Sequence, residues 1–375
     1  MDENYSDMKT FAPFRNSLSV IAITTLSILS TSCQKNNFKE EVPVAIESQS
    51  DELTALSAMQ GIYVSAADTA VATNNLYKYG LQNYQTVISQ QFTSGAKDGN
   101  GVLYNRSTDE VFQLSRAKKT LYVFANGSNM SNPPSLVRSF TDSTLSSGRE
   151  IAHDKKNDIL YVANNTDSSI RLYRHFSSLS GIVIGEKVKI SGQPWGIIYD
   201  DMLDKLVVVI DLAAMRLDIF DHPSALTAGA ATASRSLNIA DRPNGTFSRL
   251  HGITYNSVAD VLIVTEIGEA AAPITPTPGK PAFNADGGIY IINNGAAKLA
   301  SGGTINADAI IYGTNTGLGN PVDIASRWLN GKGFIFAIEK ANKKIQAFRV
   351  NDMGDAMPVN TVVTTYAPEA ASLVQ

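Results

Sequence analysis

From about residue 60 onward, apolar positions fall in runs of four to six, bounded by Gly, Asn, Asp and Pro. Val, Ile, Tyr and Phe dominate these runs, and no stretch of the mature chain sustains a long helical period. Short β-branched and aromatic runs between turn residues predict strands. The stretch DILYVANNTDSSIRLY (158–173) is representative: a continuous apolar run, a polar NNTDSS turn, then an alternating run. A continuous run suits a strand packed on both faces.

This phrase recurs. A first strand (A) with a small residue near its start reads NGVLYN (100–105), REIAHD (149–154), WGIIYD (195–200), HGITYN (251–256) and VDIASR (322–327). The apolar strand after it (B) reads EVFQLS, ILYVAN, LVVVID, LIVTE and FIFAIE; the alternating strand (C) reads TLYVFAN, SIRLYR, RLDIFD, GIYIINN and KIQAFRV. Fourth strands (D) are SLVRSF, EKVKI, RSLNI, DAIIYG and NTVVTTY. The second A position falls at 101, 150, 196, 252 and 323, in steps of 49, 46, 56 and 71. A unit of four short strands with insertions is the size of a propeller blade. GIYVSA, NLYKYG and TVISQQF (61–92) supply B, C and D of a further blade, and PEAASLVQ (368–375) supplies its missing A. The expected fold is all-β, a six-bladed β-propeller of four-stranded antiparallel blades closed by the C-terminal strand, which removes open sheet edges. DELTALSAMQ (51–60) is the alternative source of the first A strand.

PWGIIYDDMLDKLVVVID and IAHDKKNDILYVANNTDSSIRLY resemble the NHL and YVTN-type propeller repeats, over roughly residues 60–375. The resemblance implies that the starts of A strands and the ends of B strands share one face, the top. The ring so defined comprises Asn100, Arg149, Glu150, Asn164, Trp195, Asp211, His251, Glu266, Asp323 and Glu339, with Glu369 from the last strand. Trp offers a stacking plane, Arg a planar donor fork, and carboxylates accept from hydroxyls. Such a ring suits a small polar or carbohydrate ligand, or an envelope protein. The insertion GEAAAPITPTPGKPAFNADGG (268–288) carries Pro273, Pro276, Pro278 and Pro281 and is expected to stand stiffly over this face as a lid or recognition loop.

A second resemblance concerns chemistry. GNGVLYN is similar, at Asn100, to the Asn-Gly pattern of calcium-dependent gluconolactonase-like propellers, and Glu150, Asp323 and Glu369 would supply carboxylates; Trp195 and His251 depart from the pattern. Ca²⁺ requires six to eight oxygens. No Gly-x-Ser-x-Gly elbow and no P-loop is present. The expected function is therefore a cell-envelope binding or interaction propeller without a cofactor. A calcium-dependent lactonase is the alternative.

Composition changes the picture mainly at the N-terminus. The chain has 375 residues, 43% hydrophobic and 18% charged, with a net charge of -4, so nothing points to nucleic acid. Its one cysteine, Cys33, follows Lys9, Arg15, an apolar or hydroxyl-bearing stretch from Leu18 to Leu29, and Ser30-Thr31-Ser32. This is signal-peptide grammar, and small residues ahead of a single Cys resemble the lipobox of bacterial lipoproteins, although Ser30 stands where an aliphatic residue is usual. The resemblance implies cleavage before Cys33 and its lipidation. Residues 1–33 are thus expected to be the signal peptide, 34–55 a tether and 56–375 the propeller. The mature chain is expected to be a monomer, held in the outer membrane only through its lipid and facing the periplasm or the cell surface.

Overall fold

Six antiparallel sheets are formed in the computed structural model, which describes residues 61–68, 75–82, 85–211, 216–243, 249–269, 275, 278–279, 281–329 and 331–374. The expected signal peptide, Cys33, the tether and the stretch 51–60 lie outside these residues. Blades 2 to 6 each run outward in chain order. Their inner strands are Gly99–Asn105, Gly148–Asp154, Gln193–Asp200, Arg249–Asn256 and Pro321–Leu329. Blade 1 takes Gly61–Ala66, Leu76–Gln82 and Gln85–Phe92 from the start of the chain and its inner strand, Pro368–Val374, from the end. That latch pairs Gly61 with Val374 through Ser65 with Ala370. Each inner strand lies against the next, and the series returns from blade 1 to blade 2. The expected six-bladed propeller and its C-terminal closure are both present.

The second strand of each blade is largely apolar because both its faces are covered. Ile159 to Asn164 are all buried. One side of blade 3 packs Leu160 and Val162 against Phe112 and Leu114 of blade 2, while the other packs Tyr161 and Ala163 against Leu206 and Val208 of blade 4. Between A and B the turns repeat. Asn105, Asp154, Asp200 and Asn256 end their inner strands and accept from Ser107 N, Asn157 N, Leu203 N and Ala259 N at 3.2, 3.0, 2.9 and 2.8 Å. Four residues later or so, Asp109, Asp158, Asp204 and Asp260 adopt φ of 49 to 53°. Asp and Asn tolerate this left-handed conformation better than other non-glycine residues. Asp109, Asp158 and Asp260 also accept from Ser128 N, Ser177 N and Ala296 N, tying the A–B turn to the C–D connection beside it.

Two features depart from a plain four-stranded repeat. Blades 2, 3 and 4 each gain a fifth, parallel strand: Gly181–Ile182, Gly229–Ala230 and Gly303–Ile305. Each comes from the C–D connection of the following blade and covers the outer edge of the blade before it. A parallel bridge from Gly354 to Ile311 repeats the device on blade 5. These strands satisfy edge groups that would otherwise be open to other chains. The second departure is a short helix, Gly295–Ser301, in the C–D connection of blade 5.

At the axis the inner strands approach so closely that side chains are excluded at certain positions. A Cβ on Gly196 would lie 2.3 Å from the carbonyl oxygen of His251, and one on Gly252 would lie 2.6 Å from Cα of Asp323. Both neighbours are backbone and cannot swing away. Gly196→Ala is therefore expected to cost about 1–3 kcal/mol, measured by urea unfolding. Deleting residues 368–375 removes the inner strand of blade 1 and is expected to abolish the single cooperative melting transition seen by circular dichroism.

Candidate functional site

The axial site arises from one irregularity repeated around the ring. Near its start each inner strand bulges, so that pairing with the second strand jumps from Gly99 to Val102, Gly148 to Ile151, Pro194 to Ile197, Leu250 to Ile253, Pro321 to Asp323 and, in blade 1, past Glu369. A bulge re-aims the side chains it frees. By strand position the residues at these bulges form two layers, Asp323 and Ala370 being the first to rejoin the ladder in their blades. The upper is Asn100, Arg149, Trp195, His251, Val322 and Glu369. The lower is Gly101, Glu150, Gly196, Gly252, Asp323 and Ala370.

In the upper layer three side chains from successive blades form a stack. The Trp195 and His251 rings lie 3.7 Å apart and 7° from parallel. The Arg149 guanidinium carbon sits 4.0 Å from the Trp195 ring centre. Arg149 Nη1 is 3.4 Å from Glu369 Oε1, and Lys340 Nζ pairs with Glu369 Oε2. Burial, with Arg116 nearby, lowers the Arg149 pKa to about 10, so it remains cationic at neutral pH. Burial likewise lowers the pKa of His251, against the pull of Asp211, whose Oδ1 lies 3.5 Å from Nε2. Arg149 and Trp195 are partly exposed, whereas His251 is buried. The stack thus forms a plug over the axis, with both faces of the indole already covered. The free stacking plane expected of Trp195 is instead occupied by Arg149 and His251. Asn100, in the same layer, is buried and donates to Asp98 O at 3.2 Å, and its own side-chain oxygen has no partner.

The lower layer holds Glu150 and Asp323. Asp323 Oδ2 accepts from Ala371 N at 2.7 Å, and Glu150 Oε1 accepts from Ile151 N at 3.3 Å. Burial, helped by Glu369, raises the Asp323 pKa to about 7. Enclosure and the facing Asp323 hold Glu150 well above the usual carboxyl range. Both carboxyl groups line a cavity of about 380 Å³ that follows the lower half of the inner strands to Arg106 and Lys155, exposed in A–B turns.

Other ring residues serve loops. Glu339 accepts from the backbone N–H groups of Gly319, Asn320, Ala341 and Asn342. Asn164 accepts from Ser146 and Ser147 N at 3.1 and 2.9 Å. Ser115 accepts from Lys97 N at 2.9 Å, giving blade 2 the same link. Glu266 accepts from the Tyr290 hydroxyl at 2.6 Å and faces Arg242 at 3.6 Å. Lys340 was not singled out from sequence; the one available signal is its place directly after a B-strand end. Part of the proline-rich insertion lies outside the described residues. Its exit is anchored to blade 6, where Gly287 N donates to Leu318 O and the Asn342 amide to Asn284 O, both at 2.7 Å. Among the described residues no group of three or more His, Cys, Asp and Glu side chains is placed to hold a metal ion.

No family model matches the chain, and no curated protein matches it. Solved structures do. A chain from a nidogen/laminin complex matches with a TM-score of 0.57 and 9% identity, covering 84% of this chain and 98% of that one. A protein from Bacteroides uniformis described as a candidate 6-phosphogluconolactonase matches with a TM-score of 0.55 and 9% identity, covering 84% and 99%. A Lactobacillus plantarum protein also matches with a TM-score of 0.55 and 9% identity, covering 84% and 100%. At such identity the likeness is one of fold, and it agrees with a propeller repeat architecture.

Glu369→Gln leaves Arg149 and Lys340 without their counter-charge and is expected to destabilise the protein by about 1–3 kcal/mol, read from denaturant midpoints. The carboxyl pair carries the opposite sign. Asp323 holds its proton to about pH 7 when folded, against 3.8 for an unperturbed aspartic acid. Between these values the unfolded chain has lost a proton that the folded chain keeps, so stability falls as pH rises through that window and levels off above it. Asp323→Asn is expected to flatten this decline in melting curves recorded across the window.

Proposed function

We propose that this protein is a non-catalytic cell-envelope propeller of the NHL/YVTN type that holds a partner or ligand at its top face, and that it reaches the outer membrane as a lipoprotein through Cys33. The observation that carries the binding reading is the Arg149–Trp195–His251 stack. Arg and Trp are side chains that anchor protein interfaces, above all where they are held rigidly at a patch centre. Here the guanidinium, indole and imidazole support one another, and Glu369 and Lys340 fix the arginine from the side. The covered indole faces favour a protein partner that meets the exposed edge of the stack over a sugar that would stack on the ring. The proline-rich insertion, anchored at its exit to blade 6, supplies a second contact.

A lactonase remains the alternative, because a structural neighbour is described as a candidate 6-phosphogluconolactonase and because the channel carries two carboxyl groups of raised pKa. Perturbed groups in a cleft mark catalytic sites in many enzymes.

The decisive comparison is between wild type and Arg149→Ala/Trp195→Ala in capture of solubilised envelope proteins. A partner that is retained by wild type and lost, about tenfold or more, by the double variant supports the reading. Equal retention sinks it. Turnover of 6-phosphogluconolactone, with or without calcium, that Glu150→Gln abolishes would put the lactonase in its place. For the anchor, labelled palmitate is expected to enter the wild-type chain in cells and not Cys33→Ser.

A further inference from the structure

The two channel carboxyl groups are set apart from every other acid at the axis. Blades 3 and 6 are three apart in a ring of six, so Glu150 and Asp323 face each other across the axis. At the equivalent position the other four blades carry Gly101, Gly196, Gly252 and Ala370. The lower layer therefore consists of two opposed acids and otherwise bare backbone. In the upper layer, by contrast, Glu369 has two cationic partners. Among the described residues neither Glu150 nor Asp323 makes an ion pair; Asp323 is only 5% exposed, and Glu150 is partly exposed, in the cavity that both line. Burying a carboxyl without a counter-charge is costly unless it keeps its proton or gains a cation. Packing alone gives no reason for both: Gly or Ala fills this position in the other blades.

The cavity that these groups close is a site in its own right. At about 380 Å³ it is in the lower range of small-molecule pockets. By strand position the stack lies one residue above the two acids that line it. Its walls carry Ile197, Ile253 and Ile324, and its four charged lining residues are two acids at the closed end and two bases, Arg106 and Lys155, at the open one. A simple cation would be repelled at the mouth, and a simple anion at the closed end. A molecule that bears both charges, separated by an apolar stem, matches each part.

We propose that the axial channel is a binding site for a small zwitterion, entered from the face opposite the plug. The primary ammonium group sits between Glu150 and Asp323, the hydrocarbon stem lies along the isoleucine walls, and the anionic end meets Arg106 and Lys155. This site is independent of the top-face reading above. Because an ammonium ion favours the ionised form of carboxyl groups that burial holds protonated, binding releases a proton and strengthens as pH rises toward and past neutrality.

The test is isothermal titration of the full chain with 6-aminohexanoate, alongside hexanoate and hexylamine. The expected result is binding of the amino acid, more than about tenfold weaker binding of either control, and an observed heat that changes with the ionisation enthalpy of the buffer in the sense of proton release. Glu150→Gln/Asp323→Asn is expected to remove binding while keeping or raising the melting temperature. Should that variant fail to fold, Asp323→Asn alone is expected to weaken binding, and Arg106→Ala/Lys155→Ala is expected to narrow the preference for 6-aminohexanoate over hexylamine. Absence of binding by 6-aminohexanoate, equal binding of hexylamine, or binding that survives loss of the carboxyl pair overturns the proposal.

Discussion

Everything in this protein depends on how closely six strand backbones can approach a common axis. Each sheet must fan outward, yet all six inner strands have to meet, and where they meet there is no room for ordinary side chains. Gly196 and Gly252 mark the tightest approaches, with the backbone of the next blade where a Cβ would be. The repeated bulge follows from the same crowding. By releasing a residue or two from the ladder, each inner strand turns its start toward the axis without losing its pairing further down. Closure by Pro368–Val374 places the last of these strands, and with it Glu369, whose charge holds Arg149 in the plug.

The crowding also sorts the polar groups by height. Near the top, where the bulge frees side chains, large groups meet and satisfy one another: cation on indole, indole on imidazole, carboxylate between arginine and lysine. One residue lower, most blades can present only hydrogen or methyl, and the two that present carboxyl groups face each other over open space. The same ring thus carries a layer of stacked and ion-paired side chains above one whose two carboxyl groups have backbone N–H donors but no counter-charge, and that asymmetry gives the two layers different chemistry.

Outside the axis the fold is held by local bonds repeated from blade to blade. Asp109, Asp158 and Asp260 each take a left-handed turn conformation and cap the neighbouring connection, and the ends of the B strands reach back to the preceding loop. The parallel additions on blades 2, 3 and 4 stitch each blade to the next at the rim, so neighbouring sheets are joined at both radii.

Blade number, strand order and closure were legible because they rest on local chemistry: apolar runs of strand length, Asn and Asp at turns, and a small residue at a constant place in each A strand. The identity of the axial residues was legible for the same reason, since Arg149, Glu150, Trp195, His251, Asp323 and Glu369 occupy matching positions of a repeat. What those residues do was decided only in three dimensions. Trp195 loses its free faces because the bulge brings side chains of the two adjoining blades within stacking distance. Asn164 and Glu339, read as ring members, turn to N–H groups of the loop before their blade, which sequence spacing does not bring near them. The edge strands Gly181–Ile182 and Gly229–Ala230 are two residues long and carry no pattern, so only contact with the preceding blade makes them strands. Repetition along the chain determines which residues are equivalent; distance across the axis, which no repeat encodes, determines which of them meet.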